Sequence, residues 1–322
     1  MSIRKFSLAL LTFFALSAQA ADWPGTKPIK LVVPFPAGGG ADIIARTIAP
    51  ELAKNIGQKI IIENRSGAGG SLGTELALRE KADGQTLIYV TNGTLCTNPA
   101  LYPKVGYDVL RDIKPVARLT DITLVMAVNP KRIKADNVNE FLKLAKNTDM
   151  PMTFSSAGNG TTSHLAGVLL SRLTAVNFEH IPYRGGAASM TDLLAGRIDF
   201  TIDVAPNVLP HVQSARLTAL GLGSARKEDS SNPIKPLSEQ GIDGYELFAW
   251  DGIAVKAGTP EPIVKALSEA IQKTLSDDKV QQLLKARGAQ PVLSTPTQFS
   301  DFVRSEQEKW TELVKTSRTS LD

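Results

Sequence analysis

The chain is short of the residues from which most site chemistry is built. It has a single cysteine, Cys96, and three histidines, His164, His180 and His211, among 322 residues. One cysteine excludes an intrachain disulfide, and the scattered histidines lack the ligand spacing of a structural zinc site. Cys96 therefore reads as a small buried apolar residue. Aromatics make up only 6% of the chain, and no Gly-x-Ser-x-Gly nucleophile elbow occurs. No histidine has a nucleophile or metal partner beside it in sequence. The net charge is only +4 and evenly spread, which argues against nucleic acid as a partner. After the first twenty residues no apolar run approaches the roughly 20 residues that span a bilayer.

What is present begins with an export signal. Arg4 and Lys5 precede an apolar stretch from Phe6 to Leu16, and Ala18-Gln19-Ala20 places small residues where signal peptidase reads them. No cysteine follows the stretch to carry a lipid. Cleavage after Ala20 is expected to release the remainder into the periplasm of a Gram-negative cell. That remainder, in a chain 43% hydrophobic, is long enough for two domains.

Short β-branched runs alternate with helical patterns. Ile29–Val33 reads as a strand, and the helix after it carries Ile43, Ile44, Ile48 and Leu52 at helical spacing before Gly57. Strands at 59–63 and 86–91 flank a helix at 71–81, a βαβαβ pattern that implies a parallel sheet covered by helices. The style resumes with strands at 124–128, 152–155, 178–182, 198–202 and 217–222. Residues 224–245 read as surface loop. An apolar run at 248–255 then leads into three amphipathic helices.

Three turns share one design: a strand ends, glycine-rich backbone follows, and a helix begins. They are Phe35-Pro36-Ala37-Gly38-Gly39-Gly40-Ala41-Asp42, Ser155-Ser156-Ala157-Gly158-Asn159-Gly160-Thr161-Thr162 and Tyr183-Arg184-Gly185-Gly186-Ala187. A first helical turn offers free N–H groups and the positive end of the macrodipole, and glycine lets a ligand approach the backbone. Such turns bind carboxylate, phosphate or sulfate, and in open α/β sheets they lie where ligands bind. Asp42 on its own reads as a capping carboxylate. Ser156, Asn159, Thr161 and Thr162 supply hydroxyl and amide groups able to orient a polar ligand. Arg184 is either its neutralising cation or a solvated arginine. His164, just past the second turn, is either a pocket contact or a structural hydrogen-bonding residue. The cluster Gly67-Ala68-Gly69-Gly70 lacks strict dinucleotide spacing, so no cofactor is expected.

These motifs, in this order, resemble the Bug-type receptors, the extracytoplasmic solute-binding proteins of tripartite tricarboxylate transporters. The resemblance spans the mature chain. It runs through Val33-Pro34-Phe35, Ala37-Gly38-Gly39 with Asp42, Glu63-Asn64-Arg65, Gly67-Ala68-Gly69-Gly70, Asn98-Pro99-Ala100-Leu101-Tyr102, Ser155-Ser156-Ala157-Gly158, His164-Leu165-Ala166, Pro182-Tyr183-Arg184-Gly185, Trp250-x-Gly252 and Gly258-Thr259-Pro260. It implies an α/β type II periplasmic binding-protein fold, a Venus flytrap with lobe one at 21–125 and 248–322 and lobe two at 126–247. It also implies a small carboxylate held between Phe35, Ala37, Gly38, Gly39 and Asp42 on one side and Ser156 to His164, Tyr183, Arg184, Gly185, Ala187 and Asp203 on the other. Asn92, Thr94 and Cys96 match a segment bordering the ligand. The implied partners are membrane permease subunits, with the receptor a monomer and not an enzyme. A ligand-sensing adaptor, or an exported hydrolase or isomerase, are the alternatives. Asp251 departs from relatives that carry an aromatic or neutral residue there. If it faces the cleft, it adds a second carboxylate that favours an amino or ring-nitrogen group.

Overall fold

The computed structural model describes residues 23–102, 105–224 and 233–317. The leader and its cleavage point lie outside them. The chain opens with β1 (Ile29–Val33), α1 (Gly40–Ile56), β2 (Ile60–Asn64), α2 (Ser71–Leu78) and β3 (Thr86–Thr91). Two short helices, α3 (Asn98–Leu101) and α4 (Val109–Asp112), lead to β4 (Ile113–Ile122). The next strand, β5 (Leu124–Val128), opens a different sheet. It is followed by α5 (Val138–Lys146), β6 (Met152–Ser156), α6 (Thr162–Thr174), β7 (Phe178–Pro182), α7 (Gly186–Leu194), β8 (Phe200–Val204), α8 (Ala205–Gln213) and β9 (Thr218–Leu222). The chain then returns to the first sheet as β10 (Ala249–Lys256) and finishes with α9 (Glu261–Leu275), α10 (Asp278–Lys285), β11 (Ala289–Pro291) and α11 (Pro296–Ser317).

Two lobes result, each built around one sheet. The six-stranded sheet runs β11-β4-β10-β3-β1-β2 and the five-stranded sheet β7-β6-β8-β5-β9. The expected parallel pairing holds for β1 with β2 and β3, and for β6 with β7 and β8. Neither sheet is wholly parallel, however. β10 pairs antiparallel with β3 and β4, and β5 antiparallel with β8 and β9. These are the strands through which the chain crosses between lobes. A crossing strand enters a sheet from the other lobe, so no helical crossover sets its direction.

The core follows the periodicity with one shift. On α1, Ile44, Ala45, Ile48, Ala49 and Leu52 are buried, while Ile43 is only half-buried. β4 was not legible in the sequence. Pro115, Lys114, Arg118 and Asp121 break its alternation, and its pairing with β10 contains register shifts. The segment read as surface loop is partly core: Leu237, Ile242 and Tyr245 are buried, and the Tyr245 hydroxyl donates to the Ala166 carbonyl at 2.9 Å.

Candidate functional site

The carboxyl ends of β1, β3, β6, β7 and β8 face one another across the gap between the lobes. A small inner cavity lies there. From the first lobe it is lined by Phe35 and Pro36, by Gly39, Gly40 and Ala41 at the start of α1, by Tyr89, Thr91, Asn92 and Gly93 after β3, and by Ile122, Ala249, Trp250 and Asp251. From the second lobe come Ala157, then Thr161, Thr162 and Ser163 at the start of α6, Gly186 at the start of α7, and Asp203, Val204 and Asn207. A larger outer hollow adjoins it, bounded by Phe35, Pro36, the 66–70 loop, Tyr102, Gly158, Asn159, Tyr183, Arg184 and Gly185.

Three helices point their N-termini into this gap. The N-caps of α1, α6 and α7 are Gly39, Thr161 and Gly185, and none makes a side-chain capping hydrogen bond. Their first-turn N–H groups have no acceptor within the helix. Glycine is required where these turns tighten: Gly38 has φ 78° and Gly185 φ 103°. At Gly186 the reason is space, because a Cβ there would lie 2.0 Å from Asn207 Nδ2.

Asn92 is 1% exposed, and its Nδ2 has no hydrogen-bond partner among the described residues. Its Oδ1 accepts the Thr162 hydroxyl at 2.9 Å, a hydrogen bond that joins the lobes. The Tyr102 hydroxyl makes a second such bond, to the Asn159 carbonyl at 3.2 Å. The lobes therefore stand closed upon each other.

Two buried carboxylates line the inner cavity, one from each lobe. Asp203 accepts from the Val204 amide and from Asn207 Nδ2, both at 2.8 Å. Burial nevertheless raises its pKa. Asp251 sits opposite Thr91 on β3 and Thr120 on β4, next to a register shift at Gly252. Its Oδ1 accepts the Thr120 amide at 3.2 Å and hydroxyl at 2.6 Å, and its Oδ2 accepts the Tyr89 hydroxyl. Burial outweighs these bonds and pushes its pKa up to about 6. Trp250 is anchored behind the cavity wall: its indole N–H donates to Glu306, which also receives the Trp310 indole, both at 2.8 Å.

The structure brings some of the expected site residues together and sets others apart. Phe35, Gly39, Asn92, Thr161, Thr162 and Asp203 line the inner cavity, and Asn159, Tyr183, Arg184 and Gly185 the outer hollow. Arg184 is exposed, so its charge is largely in solvent. The other seven expected residues line neither. Ala37 and Gly38 are exposed at the turn, where a Cβ on Gly38 would stand 4.0 Å from Ala187 across the gap. Asp42 accepts the Gly38 amide, Arg46 Nε and Asn64 Nδ2 at 2.9–3.0 Å. Burial would raise its pKa, but these donors together hold it below the usual value. Thr94 exchanges hydrogen bonds with Thr91. Ser156 Oγ pairs with His180 Nε2 at 2.6 Å, and His180 stacks on His164 with ring centroids 4.1 Å apart. Burial depresses His164 to about 4, and burial with the neighbouring His164 depresses His180 to about 3. Cys96 is buried within the π-helical turn Gly93–Thr97.

Sequence reasoning gave no role to Tyr89, Asn207 or Ile122, and none to the amides of Ser163. Asn207, in the first turn of α8, lies four residues beyond Asp203 at the end of β8, a spacing that carries a signal only once both are known to face the cleft. Tyr89 lies within an apolar strand and reaches Asp251 across 162 residues of chain.

Comparison with known proteins agrees with this architecture. The model of the tripartite tricarboxylate transporter family receptor matches residues 44–318. BugT of Bordetella pertussis is 31% identical over 320 residues, 98% of this chain and 98% of that protein. Two solved structures are similar at 30% identity. One is R. palustris Rpa4515 with adipate, with a TM-score of 0.89 over 93% of this chain and 99% of that one. The other is MatC (Rpa3494) from Rhodopseudomonas palustris with bound malate, with a TM-score of 0.83 over 89% and 98%. Fold, cleft and relatives coincide, and the chain belongs to the receptor family of the tripartite tricarboxylate transporters, whose members are periplasmic solute-binding proteins.

Proposed function

We propose that this protein captures a small carboxylate between its lobes and presents it to membrane permease subunits, binding the ligand without altering its bonds. The observation that carries the reading is the convergence of three uncapped helix N-termini on one inter-lobe cavity, with the free Asn92 Nδ2 beside them. Amides arranged in this way hold an anion by dipole and hydrogen bond without a cationic side chain. The adipate and malate of the two structural relatives support a carboxylate.

The inner-cavity residues Phe35, Gly39, Asn92, Thr161, Thr162 and Asp203 are the proposed contacts. Asn159, Tyr183, Arg184 and Gly185 guard the entrance. Ala37, Gly38, Asp42, Thr94, Ser156, His164 and Ala187 shape the turns that carry the contacts. The proposed lobe boundaries are at Thr123, two residues before the expected 125/126 because Leu124 and Val125 pair with β8 and β9, and just before Ala249, where the chain re-enters the first sheet. The Asn92–Thr162 and Tyr102–Asn159 bonds span the two lobes, and a ligand bridging the helix starts favours the closed state by differential contact. The mature receptor begins after Ala20 and acts as a monomer. Binding rather than catalysis is supported by the position of His164 and His180, which stack on each other outside the cavity lining.

Thermal denaturation against a panel of di-, tri-, amino- and aromatic carboxylates tests the reading. A ligand at 100 times its Kd stabilises the folded state by about 2.7 kcal/mol. No rise in Tm with any member of the panel overturns it.

A further inference from the structure

The formal charges in the inner cavity are all of one sign. Asp203 and Asp251 line it, 3% and 1% exposed, and among the described residues no lysine, arginine or histidine does. A dicarboxylate entering this cavity brings more negative charge to a place that already buries two carboxylates. Negative charges buried in one small cavity disfavour the entry of a further anion. The site also has unused acceptor capacity. A carboxylate offers about four acceptor positions, of which Asp251 uses about three and Asp203 about two. The remaining positions, about three in all, equal the donors of one primary ammonium group. Donors are also in excess: the Asn92 Nδ2 is buried without a partner, and the first-turn amides of α1, α6 and α7 are uncapped. One cavity thus presents free donors suited to a carboxylate and free acceptors suited to a cation. Phe35, Trp250 and Ile122 give the cavity apolar wall beside these polar groups.

We infer that the ligand is a zwitterion, a carboxylate that also carries a protonated amino group, and that Asp203 and Asp251 hold that group, one from each lobe. The inference rests on the carboxylate-receptor reading and narrows it. It makes Asp251 the residue that selects against plain dicarboxylates. It also adds a closing force, because an ammonium between Asp203 and Asp251 ties the two lobes together.

Isothermal titration calorimetry on matched pairs separates the two claims. The pairs are butyrate and 4-aminobutyrate, pentanoate and 5-aminopentanoate, and succinate and aspartate. In the wild-type protein, the tightest-binding pair is expected to favour its aminated member by at least about tenfold, the scale of one charge-assisted hydrogen bond. In Asp251→Asn the same pair is expected to differ by less than threefold. If succinate or another carboxylate without nitrogen binds the wild type as tightly as its aminated partner, or is the sole binder, the inference falls while the carboxylate reading stands. If no carboxylate binds at all, both fall. A preference that survives unchanged in folded Asp251→Asn and folded Asp203→Asn removes the two acids from the role. Circular dichroism establishes folding, and Asp203→Asn substitutes for Asp251→Asn should the latter not fold. The wild-type comparison needs neither variant.

Discussion

Asp251 makes a prediction about stability that needs no ligand. Its carboxyl is fully enclosed, and burial moves its pKa from 3.8 to about 6 against the opposing pull of Thr120, Tyr89 and Arg118. Between those values the folded protein keeps a proton that the unfolded chain has released. Stability therefore falls as pH rises through this window, since the folded state binds the extra proton. The contribution is fully present below about pH 4 and is gone once pH passes about 6. Roughly two pKa units at 1.36 kcal/mol each amount to about 3 kcal/mol. Asp251→Asn carries no titrating proton at this position, so it lacks this slope. The assay is urea unfolding of both proteins at half-unit steps from pH 4 to pH 7, read as the difference in unfolding free energy. Carboxylates such as Asp42 and Asp112, whose pKa values are lowered, produce the opposite slope, but they are common to both proteins and cancel. The variant is expected to gain about 2 kcal/mol on the wild type between pH 4 and pH 7, the rest of the contribution being lost already at pH 4, just above the unfolded pKa. A difference that stays constant across that range would refute the claim that Asp251 is buried and strained toward protonation.

Further expectations follow from the same geometry. Asn92→Ala removes the bond to Thr162 and the free Nδ2 donor, and is expected to weaken ligand binding at least about tenfold while costing about 1 kcal/mol of folding stability; unchanged affinity by calorimetry removes Asn92 from the site. Asp42→Ala is expected to do the reverse. It leaves the Gly38 amide and Arg46 Nε without their acceptor, and Asn64 Nδ2 with only the Phe35 carbonyl, and costs about 2 kcal/mol in urea unfolding, with a smaller loss of binding energy. Glu306→Ala leaves the Trp250 and Trp310 indoles without their common acceptor and is expected to cost about 3 kcal/mol, with a change in tryptophan fluorescence. The Cys96 thiol is buried, and burial raises its pKa well above the usual value, so a thiol reagent is expected to react only as fast as the protein opens; rapid labelling of the native protein contradicts that.

Much of the fold was legible because it is local. The strands at Ile29–Val33, Thr86–Thr91, Leu124–Val128 and Phe178–Pro182 stand where β-branched runs placed them. Helix starts were marked by glycine turns whose φ angles leave few other residues. The candidate site was legible in part: ten of the seventeen expected residues line the inner cavity or the outer hollow. The three turns do meet, because each follows a strand whose carboxyl end faces the gap. β4 was hidden by Pro115 and by charges that face other parts of the molecule. The burial of Tyr245 was hidden because its partner, Ala166, lies 79 residues away.

By itself, the sequence determined most of the elements, though not β4, together with the glycine turns that leave helix amides free and the lack of histidine and cysteine groupings spaced as metal ligands. All of these are properties of neighbours along the chain. Only the tertiary structure decided which polar groups share a cavity. Asp251 belongs with Tyr89, Thr120 and Asp203 because β10 crosses back from the second lobe and lies antiparallel between β3 and β4. His164, adjacent in sequence to the anion turn, belongs instead with His180. Charge and hydrogen bonding act through space over a few ångströms. Where the chain has doubled back, that distance is set by packing and cannot be read from order.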